Sequence, residues 1–209
     1  YKGEFYESLS LAIVRAYLNF PKIEPGFPDE QFSNKAYGGM EWLDVGPVRI
    51  PVDENAAALI PFRGYEGSFR YLSIADVMAN RVKPEQLKGK IVLMGTTAPG
   101  LKDLRATPVG GAYSGVEMHA NLITGMLDGR IKLKPPFMLA VDVLLLLIVG
   151  GIMVFWVPHL TAGHAGLITL LVLSMLLGVN YGLWSYANYS LPLAAGLLLV
   201  FILYAINMS

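Results

Sequence analysis

The carboxyl-terminal third of the chain leaves little freedom of architecture. Phe137–Val157 is a long apolar run closed by Pro158. About 20 apolar residues are enough to cross the hydrocarbon core of a bilayer, so this run predicts a membrane helix. A second run covers Thr161–Trp184. A third covers Leu191–Ile206 and extends from Tyr189 to Met208. The links His159–Leu160 and Ser185–Ser190 are brief, which predicts three antiparallel helices over 137–157, 161–184 and 189–208. Trp156, Trp184, Tyr186, Tyr189 and Tyr204 fall near the ends of these runs, where amphipathic rings favour the membrane interface.

Composition agrees with a membrane region. The 209 residues are 54% hydrophobic and 15% charged, with a mean hydropathy of +0.49. That is too apolar for an ordinary soluble protein. Formal net charge is zero, which leaves no broad nucleic-acid footprint. There is no cysteine, which excludes disulfides and thiolate metal sites. The chain opens on Tyr1 and stops at Ser209 directly after an apolar run, so it reads as a piece of a longer polypeptide.

Residues 1–130 read as an α/β domain, joined to the membrane region by the basic, proline-ended linker 131–136. Ser8 can cap a first helix, with Leu9, Ala12, Ile13, Ala16 and Tyr17 along one side. Phe20–Tyr37 carries three prolines and reads as loop. Met40–Leu43, Val48–Val52, Ala57–Phe62 and Phe69–Leu72 read as short strands. Pro51 makes the second of these an edge strand, or ends it. Ser73 precedes a short helix over Ile74–Asn80, and Pro84–Leu87 reads as a turn. Strands interleaved with helices indicate an α/β fold.

Ile91–Met94 is a continuous apolar run bounded by Lys90 and Gly95. It suits a strand covered on both faces, as in a parallel sheet. A polar loop from Gly95 to Tyr113 follows, at the kind of strand end where open α/β sheets bind ligands. Ser114 and Glu117 then have capping-box spacing. Behind them Val116, Ala120, Ile123 and Leu127 form one apolar helix face, and Glu117, Asn121, Thr124 and Asp128 form a polar stripe on another.

The candidate ligand-binding residues are Thr96, Thr97, Asp103, Thr107 and His119, a polar pocket over the strand end. Plainer readings stand beside this one. Asp103 can simply pin the loop, His119 can be a packed core histidine, and Glu117 can be half of the capping box. Gly95–Gly100 begins like a phosphate loop, but Gly100-Leu101-Lys102-Asp103 lacks the hydroxyl that would hold magnesium. Neither a zinc triad nor a nucleophile–base pair can be assembled. No catalytic residue, metal ligand or cofactor is therefore expected in the segment. Asp142 lies about 8 Å into the first span. It is either a functional intramembrane acid or a group that reaches the interface. Gly178 and Gly182 make a GxxxG pattern suited to close helix contact.

One series of residues resembles a known family. Ile50-Pro51-Val52-Asp53, Phe62-Arg63-Gly64, Ser73–Val77, Leu87–Gly95, Gly100–Asp103, Thr107-Pro108 and Tyr113–Asn121 occur in this order. Together they resemble the second type of CHASE domain, the extracellular sensory module of bacterial cyclases and kinases. The resemblance implies an extracytoplasmic sensory domain followed by two or three membrane helices and a cytoplasmic output domain. It implies a multi-pass protein of the bacterial inner membrane, a homodimer, and an unidentified extracytoplasmic ligand or protein partner. The foremost expectation is the signal-sensing module of a class III adenylate or guanylate cyclase whose catalytic domain lies beyond Ser209. A sensor-kinase input and an envelope assembly protein are the alternatives. Arg130, Lys132 and Lys134 flank the first span. Taken alone they would put the domain in the cytoplasm by the positive-inside rule. The family arrangement puts it outside, and long domains translocate largely regardless of charge.

Overall fold

The computed structural model describes residues 6–27, 39–96, 103–133 and 137–208. The chain divides into two compact units, Tyr1–Ile131 and Lys132–Ser209.

The first unit begins with helix α1, Leu9–Tyr17, and Ser8 caps it by accepting the Leu11 N–H. The face it buries is Ser10, Leu11 and Val14. The expected face fails, since Leu9 and Tyr17 are exposed. Both faces are apolar enough to be buried, and packing against a later helix decides between them. Strands β1 (Ile23–Gly26), β2 (Trp42–Val45) and β3 (Val48–Pro51) form an antiparallel sheet in that order. The β2–β3 hairpin turns on two residues, with Val45 opposite Val48. Gly46 supplies the positive φ of 60° that such a turn demands. Pro51 is the last residue of an edge strand, as its missing N–H requires.

Helix α2 is short, Ile74–Met78, and buries nothing. Strands β4 (Leu104–Thr107) and β5 (Gly110–Ser114) form a second antiparallel hairpin, where a loop up to Tyr113 is expected. Helix α3 follows over Gly115–Leu127. The core joins Leu11 and Val14 of α1, Val45 and Ile50 of the sheet, Ile123 and Met126 of α3, and Ile131.

Ile91–Met94 is a correction. It forms no strand, Val92 is 61% exposed and Met94 81%, and only Leu93 packs against the core. α1, α3 and the three-stranded sheet close that core between them, so the run finds no strand to pair with. Both sheets are antiparallel, so the parallel arrangement is absent from the described residues. Ala57–Phe62 and Phe69–Leu72 are not strands either. The Phe69 N–H is held by Glu117 of α3, and Pro61 has no N–H to give a ladder. Part of the expected loop Phe20–Tyr37 is β1, and residues 28–38 lie outside the described part.

The second unit contains an apolar helical stretch over Phe137–His159 and another, α5, over Ala162–Tyr186. Both are long and apolar enough to cross a membrane. The first begins as α4, Phe137–Gly151, and widens to a π-helical turn over Ile152–Trp156 before a 3₁₀ turn at Val157–His159. Pro158 accounts for the widening, because its ring crowds the carbonyl four residues back and it has no N–H. The last helix, α6, is Ala194–Met208. Its 15 residues rise about 22 Å, short of a hydrocarbon core of about 30 Å. Two spans are therefore supported where three are expected.

Val149, Met153 and Val157 recur every four residues and pack against Ala165, Val172, Leu176 and Val200. Asn207 Nδ2 donates to Met153 O inside the widened turn at 3.2 Å. Lys132 Nζ donates to Trp184 O at the end of α5 and to Asn188 Oδ1, and it lies 4.7 Å from the Trp184 ring centroid. A cation is favoured at a helix carboxyl terminus. Leu133 N–H donates to Asn188 O and Ser190 N–H to Leu133 O, which ties the entry of α4 to the α5–α6 link. Gly178 and Gly182 have open space where a Cβ would lie, so the GxxxG pattern makes no close contact among the described residues.

Two substitutions test this packing. A Cβ on Gly125 would come within 2.3 Å of Pro61 Cγ, and a proline ring cannot swing away. Gly125→Ala should destabilise the domain by about 1–3 kcal/mol, outweighing the gain of about 1 kcal/mol that alanine brings to a helix. A thermal midpoint equal to the parent's would refute the contact. Asn207→Leu should loosen α6 on the widened turn. Spin labels on cysteines placed at the exposed Phe155 and Ile206 of this cysteine-free chain should then give a broader distance distribution. An unchanged distribution would mean that apolar packing alone fixes α6.

Candidate functional site

Helix α3 carries the polar stripe anticipated from the sequence, but the stripe points inward. Glu117 is 2% exposed and Asn121 fully buried. Ser114 occupies the cap position with extended backbone and makes no side-chain cap bond. Glu117 does not complete a capping box. Its carboxylate accepts the Gly67 N–H on both oxygens, at 3.1 and 3.0 Å. It also accepts the Phe69 N–H at 3.3 Å and the Tyr71 hydroxyl at 2.8 Å. A buried carboxylate is costly unless its lone pairs are filled, and here a loop with no strand partner fills them.

Asn121 extends the network by one helical turn. Its Oδ1 accepts the Arg63 N–H at 2.9 Å. Its Nδ2 donates to the Tyr113 hydroxyl at 2.8 Å and to Glu117 O at 2.9 Å. Tyr113 donates in turn to Gly64 O at 3.4 Å, and its ring meets Phe62 edge-on at 5.2 Å. Arg63 pairs with Asp128 at the far end of α3. The loop from Phe62 to Tyr71 is thus fixed along the whole helix.

Burial raises the Tyr71 phenol, and the Glu117 carboxylate that takes its hydrogen bond raises it further, to about 12. Tyr113 is also raised, first by burial, with the Asn121 hydrogen bond opposing and the Glu117 charge adding.

The sequence-predicted residues separate into two places. Asp103 is exposed and pairs with Arg105 at 3.0 Å. Its Oδ2 lies where a Cβ on Gly115 would approach to 2.7 Å, and its backbone O accepts the Gly115 N–H. The carboxylate therefore sits over the start of α3, where negative charge is favoured. Thr107 Oγ1 donates to Gly110 O across the same hairpin at 3.0 Å. Thr96 is exposed, and Thr97 lies outside the described residues. His119 is held elsewhere: its Nδ1 pairs with Ser10 Oγ of α1 at 2.8 Å. Asp142 is half-buried in the second unit. Among the described residues no cluster of three or more His, Asp or Glu could hold a metal ion.

Glu117, Asn121, Tyr113 and Tyr71 are the residues that sequence reasoning passed over as a site. No local signal marks them, since Glu117 and Asn121 are four apart on a helix, the spacing of an ordinary solvated face.

The Tyr71 hydrogen bond has a pH signature. The phenol ionises at 10.0 when unperturbed and holds its proton to about 12 in the fold. The unfolded chain therefore releases the proton first, and stability should fall as pH rises from 10 to 12. In Tyr71→Phe this part of the alkaline loss should vanish. An identical stability–pH slope in the variant over that window would rule out the Tyr71–Glu117 bond.

A family model of the CHASE2 domain matches residues 1–153. Searches of curated proteins and of solved structures return no match. CHASE2 is an extracellular sensory domain found in signalling proteins. Its match covers most of the chain and includes the α3 network, the β4–β5 hairpin and the entry into α4. The chain belongs to the CHASE2 domain family.

Proposed function

We propose that this chain is the membrane-anchored input half of a bacterial signalling enzyme, foremost a class III adenylate or guanylate cyclase. The catalytic domain would follow the membrane helices, and the protein would work as a homodimer in the inner membrane. The sensory unit would lie outside and α6 would complete a third pass. One observation carries the reading: the CHASE2 family model matches residues 1–153, and the chain holds two helices long and apolar enough to cross a membrane.

In this proposal the ligand contacts Asp103 and Thr107 of the β4–β5 hairpin, Thr96 and Thr97 are further candidate contacts, and His119 reports on the α1–α3 contact. The hairpin is the adaptable part. The Asp103–Arg105 pair is exposed, and such pairs contribute only about 0–1 kcal/mol. A ligand could therefore displace Arg105 cheaply. The response follows from a difference in affinity between two packings, since a ligand can shift an equilibrium only by that difference.

Membranes carrying the full-length gene product, with and without residues 1–130, should form cyclic AMP or cyclic GMP at different rates. Asp103→Asn should lose the response to the signal while its thermal midpoint stays near the parent's. Phosphorylation of a protein in place of cyclic nucleotide would move the output to a kinase. Neither activity would overturn the signalling-enzyme reading and favour an envelope assembly role.

A further inference from the structure

The strand edges of the sensory unit are blunted. Pro25 lies in β1 and Pro51 in β3, the two outer strands of the three-stranded sheet, and each proline removes an edge donor. The β4–β5 ladder is interrupted by a register shift between Arg105 and Thr107, another feature that discourages added strands. One strand-like stretch has no such protection. Ile91, Val92, Leu93 and Met94 make no backbone hydrogen bond among the described residues.

This stretch has the side-chain alternation of a strand. Leu93 packs against the core. The Gly95 backbone lies on α3, where an added Cβ would collide with Val116. Val92 and Met94 face outward, 61% and 81% exposed, while Ile91 is 37% exposed. A period of two is that of an extended chain. The same period puts Lys90 on the outward side. Lys88 and Lys90 have no ion-pair partner among the described residues.

Three features define what fits here. Free backbone N–H and C=O groups in a row need a partner that donates and accepts along a line, as another backbone does. Exposed Val92 and Met94 favour apolar residues directly across from them, and the lysines favour an acid. A bilayer surface offers apolar contact and negative charge, but hydrocarbon leaves backbone groups unsatisfied.

We propose that Ile91–Met94 is a docking edge for an extended segment of a partner polypeptide, which adds beside it as a strand. One face of that segment carries β-branched or aromatic residues opposite Val92 and Met94 and an acid opposite Lys90. Leu93 and Gly95 hold the edge on the core and on α3. The site goes beyond the sensing role, because it requires neither the ligand at the β4–β5 hairpin nor any particular output.

The 209-residue chain in phosphatidylcholine nanodiscs is titrated with a fluorescent peptide, Val-Thr-Val-Thr-Glu-Thr-Glu, and with its reverse. One order suits an antiparallel partner and the other a parallel one. At least one should bind. Its lysine-for-glutamate counterpart should bind about tenfold more weakly, equivalent to about 1.4 kcal/mol, and Lys90→Glu should reverse that preference. N-methylation of the peptide amides should abolish binding while leaving the protein untouched. Hydrogen exchange should show the bound peptide protecting alternate amides within Ile91–Met94, because a strand bonds its neighbour through every other residue. Amides already protected before peptide is added would mean that the chain pairs this run itself, which overturns the proposal. Binding by neither peptide, or binding that survives N-methylation, also overturns it. So does protection that appears only when phosphatidylglycerol replaces phosphatidylcholine, which would assign the surface to the bilayer.

Discussion

The sensory unit depends on one buried carboxylate. Glu117 accepts hydrogen bonds from Gly67, Phe69 and Tyr71, and among the described residues no lysine or arginine forms a salt bridge with it. An unpaired buried charge costs several kcal/mol, and here hydrogen-bond donors alone offset that cost. The dependence is mutual. The segment from Phe62 to Tyr71 has no strand of its own, so its backbone N–H groups lack the ladder partners that a sheet would provide. Glu117 and Asn121 give several of them acceptors. One helix face thus replaces the missing sheet.

That arrangement makes α3 the axis of the unit. Its polar face fixes the Phe62–Tyr71 segment, while Ile123 and Met126 fill the core with Leu11 and Val14 of α1. Gly125 lets Pro61 approach the helix backbone. The chain leaves α3 through Gly129, whose φ of 63° suits only glycine comfortably, and returns to the core at Ile131. Apolar packing and the polar network therefore meet on a single rigid element. A shift of α3 would disturb both together, which favours two discrete packings over a continuous range.

The extent to which the sequence disclosed all this follows from how local each cause is. Ser8 caps α1 because a serine oxygen and a helix N–H lie three residues apart. Pro51 ends β3 because it lacks an N–H. The membrane-length helices follow from apolar length. The failures in the sensory unit are non-local. Ile91–Met94 has the composition of a buried strand, but burial needs a partner strand that composition cannot supply. The β4–β5 hairpin sits within a stretch of threonine, glycine and proline that looks like loop. Ser114 and Glu117 have the spacing of a capping box, yet Glu117 bonds to groups about 50 residues away in sequence. The polar stripe on α3 was visible, but nothing in its spacing distinguishes a solvated face from one that a distant loop covers. The resemblance to the CHASE series lay in an ordered set of short motifs, and the family match bears it out.

The same contrast between exposed and buried polar contacts bears on how a sensor of this kind can work. Asp103 and Arg105 meet in water, where the pair is worth little and exchanges easily. Glu117 and Asn121 meet their partners away from water, where an unmade bond costs about 1–3 kcal/mol. In the sensing role proposed above, a ligand of modest affinity would have enough free energy to rearrange the first pair. It has too little to dismantle the second set, whose bonds would have to break together. The hairpin side chains can therefore change partners while the α3 frame stays whole. A change at the start of α3, where Asp103 lies against Gly115, would then move the helix as a body and reach Ile131 undivided.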